Sequence, residues 1–477
     1  MKIVAYCFGA FPLFFVEAVK LSKDILWLAI IPSYHHRAIL EKSLGKENVF
    51  YLQDHLNHEM SKEVNREELI NYPGAIFRDI AADKVVMKTL DKDYQFKNAF
   101  HTYRCYKQFL QKVKPDAVFF SIIETHDAMI LYKICIELGI EVILYVNNRN
   151  FGGSFFSSEY FGGLPSYIKT TPLDKTCFNK AKSFVSEFRK NFKSPDIIVS
   201  PPKEEDKLNW SKPTFISRSY KYLDCLINNR EPHHITESTF YQKIKMNLFH
   251  LNNKLIYLRG IRSKKYFDIF NINQLPKKFI YYPLQLTPES SINTPAPFFF
   301  DQLRAIDLLL YNMPSDHLLV VKEHPVSFGL RPFSFYDSLK KRPGVVFADA
   351  FIPSIQITKK AALTVSVTGT ACLEAFLLGL PSMHFGKTFF TDQISFASHI
   401  NLENDLASAM FNRPSDEKII DFTARVFMAS KDFIIFDPTD PYRDANLIIN
   451  KKNILSFLDS FNLHIKEISK YKKVSIS

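Results

Sequence analysis

Two stretches, Lys322-Glu323-His324-Pro325 and Ser366-Val367-Thr368-Gly369-Thr370-Ala371-Cys372-Leu373-Glu374-Ala375, decide how the chain folds, because each follows a short β-prone run and opens a turn. Leu318 to Val321 is an apolar strand that ends at His324, where Pro325 fixes the backbone. Leu363-Thr364-Val365 is a second such strand, and Cys372 to Leu380 reads as an apolar helix stopped by Gly379 and Pro381. The hydroxyl-rich turn therefore sits at a helix N-terminus. Unpaired backbone N–H groups and the positive end of the helix dipole favour an anion there, and Gly369 permits close backbone approach. Ser366, Thr368 and Thr370 add neutral donors, and His324 can reach the same phosphate as a cation or an N–H donor. Each element has a plainer reading as well: a solvated histidine at a strand end, and a Thr370 cap with Glu374 complementing the dipole.

Working outward, the N-terminal region alternates strand and helix patterns: Lys2 to Tyr6, Pro12 to Leu21, Ile25 to Ile31 and Val49 to Leu52. Ala117 to Ser121 and Glu141 to Val146 are two further buried strands flanking a helix from Ala128 to Leu138. A second series follows, with strands at Phe279 to Leu284, His317 to Val321, Val345 to Phe347, Leu363 to Val365 and Ser382 to Phe385, and a helix over Phe298 to Asn312. Such alternation predicts α/β architecture, with two Rossmann-type doubly wound domains whose ligands sit at the strand C-termini, facing a central cleft. The boundaries are set at residues 1–275 for an acceptor-side domain with a helical insertion, 276–425 for a nucleotide-binding domain, and 426–477 for a helical tail that packs back on the first. Within the insertion, Pro201-Pro202 and Lys203 to Lys207 read as a loop, and Phe240 to Arg262 as a basic, partly amphipathic helix.

At 477 residues, two domains are the expectation. No apolar run reaches the ~20 residues of a membrane span, and Ile3 to Val16 is too short for a signal peptide. The six cysteines lack the paired spacing of a disulfide framework or zinc site, which points to a reducing cytoplasm. A net charge of +12 calls for acidic company: anionic lipid, acidic polysaccharide or nucleotide. Nucleic acid is disfavoured, since no zinc-ligand pattern, ribonucleoprotein-type motif or arginine-rich tract is present. The 45 phenylalanines against 14 glycines carry no functional reading of their own.

Tyr282-Pro283-Leu284-Gln285, Pro288-Glu289, Val321 to Pro325 and Thr368 to Ala375 together resemble bacterial capsule polysaccharide biosynthesis proteins. That family is similar to capsular Kdo transferases and, more distantly, to bacterial sialyltransferases with a His-Pro motif. The resemblance covers about residues 279–390. It implies a GT-B-like fold and a cytidine-monophosphate sugar donor bound by the C-terminal domain. On this resemblance His324 contacts the donor phosphate, with Lys322 and Pro325 in the same motif. Ser366, Thr368, Gly369 and Thr370 hold its oxygens, and Asp349 meets ribose or base. Cys372 departs from the family, which has glycine at that place in the turn.

A donor pocket alone cannot deprotonate an acceptor hydroxyl, so the N-terminal domain must supply a base. Glu124-Thr125-His126-Asp127, after a buried strand and before a helix, is the candidate: Glu124 as base, with His126 orienting it or acting instead. The same residue types also serve as ordinary helix caps. Arg149 in Asn147 to Asn150, and Gln285 and Glu289 after the strand at 279–284, are further candidate acceptor or donor contacts. No metal motif stands out, and a phosphate held by backbone N–H groups needs no divalent ion or other cofactor.

The expectation is a metal-independent glycosyltransferase at the cytoplasmic face of the membrane. It moves an acidic sugar, Kdo first and sialic acid second, from a CMP-sugar to a glycan or lipid-linked glycan. The rivals are a polyol-phosphate transferase with a CDP-activated donor, because teichoic-acid-type polymerases carry similar elements, and a non-catalytic polysaccharide-assembly scaffold.

Overall fold

The computed structural model describes residues 1–9, 11–32, 36–64, 66–83, 91–148, 150–192, 253–287, 289–397, 402–435 and 448–476. Arg149, the Pro201 to Lys207 loop and most of the 240–262 helix lie outside them; of that helix, Asn253–Ser263 is described and helical.

The chain divides into two compact units. The first holds β1 (Lys2–Tyr6), α1 (Phe11–Leu21), β2 (Leu26–Ile31), β3 (Val49–Tyr51), α2 (Lys92–Val113), β4 (Ala117–Phe120), α3 (His126–Glu137), β5 (Glu141–Asn147) and β6 (Ser154–Ser157). Its sheet order is β3-β2-β1-β4-β5-β6, parallel throughout except for the hairpin partner β6. Parallel strands need cover on both faces, and β1 and β4 are accordingly almost wholly buried. Side-chain alternation sends Val4 and Tyr6 to the core formed with α2 and α3, and Ile3, Ala5 and Cys7 to the opposite core.

That opposite core accounts for many of the phenylalanines. Phe14 on α1 meets Phe457 of the C-terminal helix Lys451–Ile476 edge-on at 5.2 Å between ring centroids, and Phe119 and Phe156 pack against Phe457 and Phe461. Edge-to-face rings add about 0.5–1.5 kcal/mol per pair beyond burial. Residues 425–477 therefore belong to the first unit.

The second unit holds α4 (Lys175–Asn191), β7 (Phe279–Pro283), α5 (Leu303–Asn312), β8 (Leu318–Lys322), β9 (Val345–Ala348), β10 (Leu363–Ser366), α6 (Ala371–Leu377), β11 (Ser382–His384) and β12 (Ser395–Phe396). All its strand pairs are parallel, in the order β12-β11-β10-β7-β8-β9. Renumbered from its own first strand, this is the same 3-2-1-4-5-6 arrangement as the first sheet. Both units are thus Rossmann-type and doubly wound, as the alternation of strand and helix patterns predicts.

The sequence reading is corrected in three places. Its domain boundary at 275 falls too late, because α4 groups with the second unit, where the Arg189 Nε donates to Leu377 O at 2.9 Å. The helix expected over 298–312 is split into a 3₁₀ turn, Pro297–Phe300, and α5, since the Gln302 side chain is diverted to the backbone of Gln285. The short strands β6 and β12 carried no legible pattern of their own.

Candidate active site

In this strand order the chain leaves the first strand toward one side of the sheet and returns on the other, so a crevice opens at the C-terminal ends of the first and fourth strands. In the second unit those strands are β7 and β10. Gln285 follows β7 and is buried. Its side-chain Nε2 donates to Thr368 Oγ1 at 3.0 Å, and the Thr368 N–H donates to its Oε1, also at 3.0 Å. The backbone of Gln285 is matched as completely: its N–H donates to Gln302 Oε1 and its carbonyl accepts from Gln302 Nε2, both at 2.8 Å. The Thr368 hydroxyl donates onward to Ser291 O at 2.6 Å. Gln285 is therefore a strut across the switch point.

The turn after β10 is tied to itself in the same manner. Ser366 Oγ accepts the Gly369 N–H at 2.9 Å and lies 3.2 Å from Cys372 Sγ. Cys372 is fully buried, and burial pushes its thiol up to about 12. A sulfur fills the position because it contacts Ser366 Oγ, Thr364 O and Met383 O. Ser366 and Thr368 thus build the turn, and their hydroxyls are occupied by the protein. Thr370 is different: it is exposed, and its side chain makes no capping bond. Among the described residues, neither its N–H nor that of Ala371 meets a protein acceptor. Of the residues expected to hold an anion here, Thr370 and this backbone are the ones presented.

Beside β7, β8 leads into the His-Pro motif. Glu323 is completely buried and accepts from Arg331 Nε at 3.0 and 3.1 Å, from the Tyr336 hydroxyl at 2.9 Å and from the His324 N–H at 2.6 Å. Arg331 also donates to Gln285 O at 2.6 Å and to Thr287 Oγ1 at 3.3 Å. Burial, with the Glu323 charge, drives the Tyr336 phenol far above its ordinary range. The motif is thus held by a buried ion pair that runs back to the Gln285 strut. His324 itself is half-buried, and its Nδ1 accepts the Val326 N–H at 3.2 Å. That bond assigns the proton of the neutral ring to Nε2, a suitable donor toward a phosphate oxygen.

Lys322 does not join His324. It is buried at the last position of β8, donating to Ala350 O at 2.7 Å and Glu323 O at 3.2 Å, whereas His324 lies beyond the strand. Burial pulls its pKa down to about 8 against the raising charges of Glu323, Asp349 and Glu374. Glu374, on α6, is raised to about 7 by burial, with Lys322 pulling it back. Asp349 closes its own turn, accepting the Phe351 N–H at 2.8 Å. Pro325 begins a 3₁₀ turn, Pro325–Ser327, and Glu289 is exposed with its carbonyl accepting from Ile292 and Asn293.

In the first unit the crevice strands are β1 and β4. Glu124 sits on the loop between β4 and α3, half-buried, and its charge acts on the Tyr6 hydroxyl at the end of β1. Tyr6 donates to Asp127 Oδ2 at 2.8 Å, Tyr106 donates to the same atom at 3.1 Å, and Thr125 Oγ1 lies 3.1 Å from Tyr6. Burial, then Asp127, raises the Tyr6 phenol well above 10. His126 turns elsewhere: its Nδ1 lies 2.9 Å from Asp83 Oδ2 and its Nε2 3.0 Å from Asn98 Oδ1. Burial lowers its pKa, but the Asp83 bond and charge, with Asp127 and Asp79, raise it above the ordinary value. His126 is therefore spent on Asp83 and Asn98, and Glu124 is the member of that cluster placed at the crevice. Among the described residues no group of three or more His, Cys, Asp or Glu is disposed to hold a metal.

Not legible in the sequence were Gln302, the Asp83–His126 pair and Glu323 as the shared partner of Arg331 and Tyr336. Each joins residues by tertiary contact; the one local cue was Arg331, eight positions beyond Glu323.

Residues 200–395 match the family described as capsule polysaccharide biosynthesis protein. Among solved structures, the KpsC beta Kdo 2,7 transferase of Thermosulfurimonas dismutans aligns over 92% of this chain and 94% of its own, at 10% identity and a TM-score of 0.37. The beta Kdo 2,4 transferase of the same KpsC aligns over 66% and 80%, at 11% identity and a TM-score of 0.32. The UDP-GlcNAc 2-epimerase of Methanocaldococcus jannaschii aligns over 90% and 99%, at 11% identity and a TM-score of 0.24. No curated protein sequence matches. Through residues 200–395, the segment that encloses the whole second switch point, this chain is similar to capsule polysaccharide biosynthesis proteins.

Proposed function

We propose that the protein is a glycosyltransferase of capsular or surface polysaccharide biosynthesis, transferring an acidic sugar from a CMP-activated donor to a glycan or lipid-linked glycan acceptor. Kdo is the first donor sugar to test and sialic acid the second. The observation that carries the reading is that the family match encloses Gln285 and the Ser366 to Thr370 turn at the doubly wound switch point, and His324 at the end of the neighbouring strand β8. In this reading His324 Nε2, the Thr370 hydroxyl and the adjacent N–H groups stabilise charge developing on the departing nucleotide phosphate. Glu124, at the corresponding crevice of the first sheet, takes the acceptor proton. The net charge of +12 suits an acidic substrate and an anionic membrane surface at the cytoplasmic face. No described helix is long and apolar enough to cross a membrane.

A melting panel with CMP, CDP, UMP, UDP and GDP, with His324→Ala as control, tests the reading. A ligand at a hundred times its Kd adds about 2.7 kcal/mol when it binds only the folded state. Selective stabilisation by CMP, absent in the variant, is expected. Selective response to CDP would point to the polyol-phosphate alternative and assays with CDP-glycerol. Silence toward every nucleotide would point to the scaffold.

A further inference from the structure

β11 ends at His384, next to the end of β10, and no sequence motif draws attention to it. The residue is completely buried. Its Nε2 lies 3.2 Å from the carbonyl oxygen of Gly369, and its Nδ1 3.5 Å from Thr388 Oγ1, while its ring centroid is 4.9 Å from that of Phe390. A carbonyl oxygen only accepts, so the ring proton resides on Nε2 and Nδ1 is the acceptor. Burial pulls the pKa of the ring down to about 4, keeping it neutral at neutral pH.

The same segment presses on the turn a second time. The Gly386 N–H donates to Val367 O at 2.7 Å, and a Cβ at Gly386 would stand 2.7 Å from Thr368 Cγ2 and 2.8 Å from Ala296 Cβ. Glycine is required there by close approach. The turn is therefore braced from two sides, by Gln285 from the β7 side and by the His384 to Gly386 segment from the β11 side. The brace from β11 holds the peptide before Thr368, through Val367 O, and the peptide before Thr370, through Gly369 O.

We infer that His384 is a positioning residue for donor binding: its Nε2–H fixes the Gly369 carbonyl, and with it the direction in which the following Thr370 hydroxyl and N–H are presented. The inference rests on the proposed reading that this turn meets the nucleotide phosphate. A peptide plane that rotates about Gly369 would turn the Thr370 N–H with the carbonyl, because both belong to the same planar unit. The same carbonyl also accepts from the Cys372 N–H at 3.2 Å and the Ser366 hydroxyl at 3.3 Å, so removing the Nε2–H takes away one of its three donors and loosens the group that faces the ligand without touching the ligand.

The test measures Kd for CMP by calorimetry in the full chain, alongside melting temperature, for wild type, His384→Gln, His384→Phe and Gly386→Ala. Glutamine retains a donor with comparable reach, whereas phenylalanine keeps the ring and its packing on Phe390 but loses the N–H. Expected is a weakening of about tenfold in His384→Phe, recovery to within about threefold in His384→Gln, and a loss of about tenfold in Gly386→Ala. CMP binding by His384→Phe equal to wild type overturns the inference and leaves the donor-site reading standing. Equal weakening in His384→Gln and His384→Phe overturns the role of the N–H. Where His384→Phe does not fold, wild-type affinity in Gly386→Ala overturns the brace. Absence of CMP binding by wild type overturns the donor-site reading, and this inference with it.

Discussion

Gln285 and Thr368, 83 residues apart, are joined by a reciprocal pair of hydrogen bonds, amide nitrogen to hydroxyl and backbone N–H to amide oxygen, each 3.0 Å long. The pair spans the switch point of the second sheet and sets where the loop after β7 meets the turn after β10. Truncating Gln285 to alanine leaves the Thr368 N–H buried without a partner. The cost expected is about 1–3 kcal/mol of stability, read as a lower urea midpoint at unchanged m-value. A midpoint equal to wild type would show that the strut contributes nothing.

Glu323 and Arg331 make a buried ion pair with good geometry, and such pairs are costly to break from one side. Glu323→Ala should destabilise the chain by about 3–5 kcal/mol, because it strands the Arg331 guanidinium. The double variant Glu323→Met with Arg331→Met should recover much of that loss while disordering the His324 loop. Chemical denaturation of the single and double variants measures the coupling, and strict additivity would remove the pair as the anchor of the motif.

His324→Ala tests chemistry apart from folding. The residue is half-buried and stands at the start of a short turn, outside the hydrophobic core, so the melting temperature should move only a few degrees. Turnover should fall by at least about a hundredfold, in line with removal of a donor to developing charge. Turnover close to wild type would exclude His324 from the reaction.

Glu124→Gln preserves shape and removes the basic oxygen. Donor binding should persist while turnover drops by about two to four orders of magnitude, the range for loss of a general base. Full activity in this variant would place the base elsewhere in the first unit.

Glu374 links stability to pH. Its folded pKa of about 7 lies above the ordinary 4.5, so between those values the folded state binds more protons than the unfolded chain, and stability falls as pH rises from about 4.5 through 7. Lys322 acts in a different window: its folded pKa of about 8 lies below 10.5, so the unfolded chain binds more protons there and stability rises across that interval. His384, held neutral down to about 4, opposes Glu374 in acid, which is why the comparison with Glu374→Gln is the informative one. That variant should gain about 1–3 kcal/mol on wild type on moving from pH 5 to pH 8. Parallel stability curves for the two proteins would rule the linkage out.

Much of the site's location was legible because the doubly wound plan is written in local pattern. Strands read as short apolar runs, and the functional loops follow them. The division of labour within the loops was not legible. Ser366, Thr368 and Thr370 are alike in sequence, yet two hydroxyls are consumed by Ser291 O, Gly369 and Cys372, and only Thr370 stays exposed. Lys322 and His324 stand two residues apart, a spacing that puts both on one face of a continuous strand, yet the strand ends at Lys322, whose ammonium is held by the Ala350 carbonyl, and His324 opens the turn that follows. His126 looked like a partner for Glu124 until Asp83, 43 residues away, claimed its ring.

The order of strands and helices, the two-unit plan and the positions of the turns were determined by the sequence itself, since backbone propensity and hydrophobic period act over a few residues. Which polar side chains build the site and which are presented by it was decided by tertiary structure alone. A buried hydroxyl, amide or ammonium must satisfy its hydrogen bonds with whatever groups the fold brings within about 3 Å, and those groups lie tens of residues distant in the chain.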